Sequence, residues 1–75
     1  MAKKRLLVNV VWGADESGNI RHYVEMSGDS TDSDPTEEDI GGKIVDGSIK
    51  TESDTGKVSF YNEKTEAFVE QFSFQ

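Results

Sequence analysis

Hydrophobic and polar positions alternate with a period of two along most of this chain, the repeat of strands whose successive side chains point to opposite faces. From Arg5 to Trp12, Leu6, Val8, Val10 and Trp12 fall on one parity, and Arg5, Leu7, Asn9 and Val11 on the other. After a polar turn with two glycines, Ile20, His22, Val24 and Met26 share one parity, and Arg21, Tyr23 and Glu25 the other. These runs predict an N-terminal hairpin. The C-terminal half repeats the rhythm. Ser48–Glu52, Lys57–Tyr61 and Ala67–Phe74 are β-rich runs, separated by Ser53-Asp54-Thr55-Gly56 and by Asn62-Glu63-Lys64-Thr65-Glu66. A Gly in so short a break supplies the positive φ that a hairpin turn needs. The pattern therefore predicts strands over 5–12, 20–26, 48–52, 57–61 and 67–74. Short connections make the expected sheet mainly antiparallel.

Residues 27–39 break the alternation with Gly28, three Ser, two Thr and six acids, and no base. The stretch about 27–34 reads as a flexible acidic loop. Beyond it, Asp34-Pro35-Thr36-Glu37 fits a helix start, with Asp34 as N-cap, Pro35 at the first position and Glu37 at the third. Ile40 then turns inward and Gly41-Gly42 ends the turn, which gives one short helical segment over 35–40. Asp46-Gly47 suits either a tight hairpin or a bend leading into the strand that begins at Ser48. The bend is favoured, because Ile44-Val45 is short for a strand. The fold class is thus mainly β: one domain over 1–75, a small antiparallel sheet of four to five strands with one short helical turn. Its core is expected to hold Leu6, Val8, Val10, Trp12, Val24, Ile49, Val58, Phe60, Phe68 and Phe72.

Composition sharpens this picture in three ways. The chain has 75 residues and no Cys, so neither disulfides nor thiolate metal sites can brace a domain of this size. Its 15 acids outnumber 8 bases for a net charge of −7, and three of the bases lie in the first five residues. A field of that sign repels phosphate backbones and disfavours nucleic acid as a partner. No apolar run approaches the roughly 20 residues that span a bilayer, so a membrane is not expected as a partner either. Leu6–Trp12 is too short, and too interrupted by Asn9, for a secretory leader. A cytoplasmic location is the expectation.

Candidate chemistry is sparse. Asp29, Asp32, Asp34, Glu37, Glu38 and Asp39 are dense in carboxylates, but a calcium loop starting at Asp32 would need Gly where Glu37 stands. His22 is the sole imidazole, with no second His or Cys to complete a metal site. Asp54-Thr55-Gly56 reads as a turn, and Gly41-Gly42-Lys43 lacks the spacing of a phosphate loop. No Ser is set beside a base as nucleophilic chemistry requires. The expectation is no enzyme, with no catalytic residue, cofactor or metal. Surface recognition is the remaining class. Trp12, Tyr23 and Tyr61 are its candidate interaction residues; packing within the domain competes with that role, most strongly for Trp12.

The order Tyr23-Val24-Glu25-Met26-Ser27, an acidic loop with Asp34-Pro35-Thr36, Gly47-Ser48, Asp54-Thr55-Gly56-Lys57-Val58, Phe60-Tyr61-Asn62-Glu63 and Phe68-Val69-Glu70-Gln71-Phe72 resembles a group of small proteins. These are uncharacterised phage and prophage proteins encoded in the structural-gene region of tailed phages of Gram-positive bacteria. The resemblance spans residues 5–75 and rests on turn and strand residues. It implies no catalytic residues and a virion or assembly setting. The expected function is a non-enzymatic phage or prophage accessory protein, structural or assembly-related, that acts by contact with a protein partner or by self-assembly. The alternative is an acidic phage-encoded inhibitor that occupies a basic site on a host nucleic-acid-binding protein.

Overall fold

The computed structural model describes residues 2–73. The elements are β1 (Arg5–Ala14), β2 (Ile20–Gly28), α1 (Glu37–Ile40), β3 (Lys43–Ile44), β4 (Ile49–Glu52), β5 (Lys57–Asn62) and β6 (Ala67–Ser73). They build one sheet in the order β1-β2-β4-β5-β6, with β3 paired to β2. Phe74, which the sequence pattern counts with the last strand, lies outside the described residues. No helix among the described residues is long and apolar enough to cross a membrane.

Two antiparallel units form the flanks. β1 pairs β2 on one side, while β4, β5 and β6 form a meander on the other. Their junction is parallel, with Glu25 of β2 opposite Ile49 of β4 and Gly28 opposite Glu52. A parallel neighbour needs a crossover connection, and the acidic segment with α1 supplies it. The sheet is thus mainly antiparallel, as expected, with a parallel seam at its centre. Along the same edge of β2, β3 and β4 act as one interrupted partner. Arg21 and His22 pair with Lys43 and Ile44, and the chain then leaves the ladder before β4 begins. The favoured bend at Asp46-Gly47 is this departure, and Gly47 takes φ 84°. Across the gap, the Ser48 hydroxyl accepts the Val24 amide at 3.1 Å, and the Val45 amide donates to the His22 carbonyl at 3.0 Å. The backbone groups that the missing ladder would orphan are thereby satisfied.

The helical turn starts two residues later than the sequence suggests. Thr36 is the N-cap: its hydroxyl accepts the Asp39 amide, and the Asp39 carboxylate accepts the Thr36 amide at 2.9 Å. This is the reciprocal capping pattern. Asp34 cannot serve as cap because its carboxylate is held elsewhere, 3.0 Å from both Lys4 Nζ and Lys50 Nζ. Gly41, at φ 103°, closes the turn. Gly42 follows with its α-carbon against the Ile20 carbonyl and the His22 ring, where any Cβ would collide.

The crossover covers one face of the sheet only. Val24 and Met26 of β2, Ile40 of α1 and Ile44 of β3 make the buried cluster, with Leu6, Tyr61 and Phe68 packed against it. Val24 and Val58 are buried as expected, and Leu6, Val8, Ile49 and Phe68 are half-buried. Val10, Trp12, Phe60 and Phe72, expected in the core, are exposed instead; Met26, Ile44 and Val45 take their place. The physical reason is the number of layers. A four-residue helix and a loop can cover one side of a five-strand path; on the other parity Val58 is buried and Val8 and Ile49 half-buried among their strand neighbours, while Val10, Trp12, Phe60 and Phe72 stay exposed.

The acidic segment read as flexible is tied to the body at several points. The Lys4 amide donates to the Ser33 carbonyl and the Ser33 amide to the Ala2 carbonyl. Ser30 donates to Asp54 through both its amide and its hydroxyl, and the Ser53 amide reaches the Gly28 carbonyl.

Candidate interaction surface

Residues paired across strands share a face of the sheet, so the register identifies the uncovered side. One cross-strand row runs Val8, Glu25, Ile49, Phe60 and Val69 through all five strands of the path. A second runs Ser27, Thr51, Val58 and Phe72. A third begins with Val10 beside Tyr23. Trp12 extends it, its ring 6.3 Å from that of Tyr23 and tilted by 47°. Trp12 is 63% exposed and Phe60 38%, and Val10, Val69 and Phe72 are exposed with them.

Polar chemistry on this face is limited and internally matched. Tyr23 donates its hydroxyl to Glu25 at 2.7 Å. That bond, helped by burial, holds the Tyr23 phenol protonated above its usual range. Arg21, of the same parity, is bidentate to Glu63 at 3.0 and 2.7 Å. Arg5, beside Ser27, stands at the other end. By the same register Lys43 stands beside Arg21, so three cations and two carboxylates belong to this face, although the whole chain carries −7.

The opposite face carries the charge and the packing. Tyr61 lies there, edge-on to Phe68 at 5.0 Å, and Lys50 sits 4.8 Å over the Phe68 ring. Partial burial raises the Tyr61 phenol above its usual range. The three sequence candidates therefore separate: Trp12 and Tyr23 share the uncovered face, whereas Tyr61 braces the core from the other side. Phe60, Phe72, Val10 and Val69 belong with Trp12 and Tyr23, and sequence reasoning placed none of the four on a surface. The signal was present in adjacent apolar pairs: Val10-Val11, Phe60-Tyr61 and Phe68-Val69 put bulk on both parities, and one short helix cannot cover both.

The carboxylates beyond this face are mostly occupied. Burial works to raise the Asp34 carboxyl, and the Lys50 and Lys4 ammonium groups outweigh it, leaving Asp34 below the usual carboxylate range. Lys3, 2.6 Å away, and the Thr36 amide hold Asp39 at about 2. Asp15 is lowered by Asn19 and Ser17 within its own turn, and Asp54 by Ser30. His22 points its Nδ1 at the Asn9 side-chain oxygen, 2.8 Å away. Among the described residues, no group of three or more His, Cys, Asp or Glu side chains is arranged to hold a metal ion. The surface is suited to desolvation against another apolar face. Comparison with protein-family models, with curated proteins and with solved structures returns no match.

Proposed function

We propose that this protein is a non-enzymatic structural or assembly component that works by protein–protein contact through the uncovered face of its sheet. The observation that carries this reading is the set of exposed apolar side chains on that face, Val10, Trp12, Phe60, Val69 and Phe72, beside a carboxylate, Glu25, that is already hydrogen-bonded. Contiguous apolar surface rimmed by polar residues marks an interaction site, and large aromatic side chains supply most of the binding energy at such sites. The phage or prophage setting, in the virion or in the host cytoplasm during assembly, comes from the sequence resemblance.

The test is mass spectrometry of purified particles from the parent phage or induced prophage. The protein should be present, and Phe60→Ser should reduce its incorporation at least tenfold while the far-ultraviolet spectrum stays that of a folded sheet. Absence of the wild-type chain from particles overturns the virion setting. The acidic-inhibitor reading is the weaker one. Asp34 and Asp39 are held by lysines of the same chain, and the acids do not form one open face. Changing Asp29, Asp32 and Glu38 to Asn and Gln should accordingly leave incorporation intact.

A further inference from the structure

The occupant of the uncovered face can be narrowed. We infer that it is a second copy of this chain, packed face to face so that two single-sided sheets close into one two-sheet sandwich. This rests on the reading of the face as a contact surface and names the partner.

Three features favour a self-contact. The first is charge. Two chains of −7 repel wherever their acids meet, yet the acids lie in loops, on α1 and on the covered side. The register brings Arg5, Arg21, Lys43 and Glu25 to this face, with Glu63 closing on Arg21 and Glu37 on Lys43. Contact through the balanced face keeps the rest of the charge on the outside of the pair. The second is size. The molecule's broadest outline is 39 × 24 Å. Five strands about 4.8 Å apart over roughly 25 Å of their length cover about 600 Å² of plane. Side-chain relief brings this close to the about 800 Å² that each partner contributes to a standard stable interface.

The third feature is the placement of the rings. Trp12 sits on edge strand β1 at the end where β2 begins; Phe72 sits on edge strand β6 at the end where β2 finishes. They occupy diagonal corners. A two-fold axis in the interface plane, along or across the strands, sends each ring of the partner to a corner that neither ring of the first copy fills. Four rings then frame the interface without colliding, and Phe60 and Ile49 come to its middle. Aligned sheets pack about 10 Å apart in this way, with side chains of both inner faces interleaved.

The experiment uses the wild-type chain and its single tryptophan. Sedimentation equilibrium should give twice the 8.3 kDa chain mass at tens of micromolar, and Trp12 emission should shift to the red on dilution as the indole returns to water. Trp12→Lys and Phe60→Lys, each checked for a folded amide spectrum, should both yield monomers; Val11→Lys, on the other parity of β1, should still pair. A wild-type mass of one chain at 200 micromolar, with emission independent of concentration, overturns the self-contact. If that monomer still enters particles and Phe60→Ser still prevents entry, the face binds a different protein and the contact reading survives. If a dimer forms and the Lys variants remain dimeric, the contact lies elsewhere and the proposed interface is wrong.

Discussion

The Lys4 side chain is 3% exposed, and its charge is answered by Asp34 and by the Asp32 carbonyl. A buried ammonium stripped of its partner is costly, about 3–5 kcal/mol where both groups are fully buried. Asp34 is partly exposed, which screens the pair. Asp34→Ala should therefore lower stability by about 2–3 kcal/mol in a urea titration. The same carboxylates set a pH dependence. Asp34 and Asp39 titrate in the folded state below their ordinary value of 3.8. The folded state thus binds fewer protons there than the unfolded chain, and stability falls as acid is added. Their contribution is complete above the ordinary carboxylate value and is lost as the pH drops through the folded values, about 2 for Asp39. Melting temperatures measured from pH 6 to pH 2 should decline at the acid end, and Asp34→Asn with Asp39→Asn should flatten that decline. None of this was legible in the sequence. Asp34 read as a cap because Pro35 follows it, and the competing lysines stand 30 positions upstream and 16 downstream. Local motif reasoning has no access to partners at that separation.

Among the elements, the strands were readable and their outward faces were not. Period-two alternation locates all five long strands, because a pleated backbone permits no other side-chain spacing. It does not say which parity is covered. Phe60 illustrates the consequence. As a buried core residue it would cost about 3–5 kcal/mol to truncate. Exposed on the open face, Phe60→Ala should cost about 1–2 kcal/mol, while Met26→Ala in the covered cluster should cost about 2–5 kcal/mol. Thermal unfolding under conditions where the chain is monomeric compares the two directly; equal losses would contradict the assignment of faces. The crossover makes a separate prediction. Hydrogen exchange should show protection at the Lys4, Ser33 and Ser53 amides, which are bonded to backbone carbonyls, and rapid exchange at Thr31 between them. Uniformly fast exchange over 28–33 would instead restore the flexible loop inferred from composition. Ser, Asp and Gly suit an unstructured loop and one fastened by side-chain bonds equally well, so composition alone could not separate the two.

For the molecule as a whole, the decisive property is asymmetry. One side of the sheet carries the helix, the crossover and most of the charge; the other carries exposed apolar side chains with a few matched charges. That asymmetry leaves a 75-residue chain with a small core, a size at which association often supplies stability that a single core does not. It also bears on the choice of partners. With −7 net charge and lysines largely engaged by neighbouring carboxylates, the chain should leave the electrophoretic mobility of duplex DNA unchanged at 150 millimolar salt. A shift at that salt would require a basic surface that the described residues do not form.

The parallel seam between β2 and β4 has a consequence in time. The β1–β2 and β5–β6 hairpins join residues close along the chain, whereas the seam joins Glu25 to Ile49 and closes only after the crossover has been laid down. Loop closure must be completed before such distant contacts stabilise anything. Folding is thus expected to assemble the two flanks first and weld them last. In a stopped-flow chevron, Ser48→Ala, which removes the hydroxyl bridging the seam, should accelerate unfolding while leaving the refolding rate almost untouched. The strand pair that makes this a single sheet is then also its point of failure, where the molecule would part first into two ribbons.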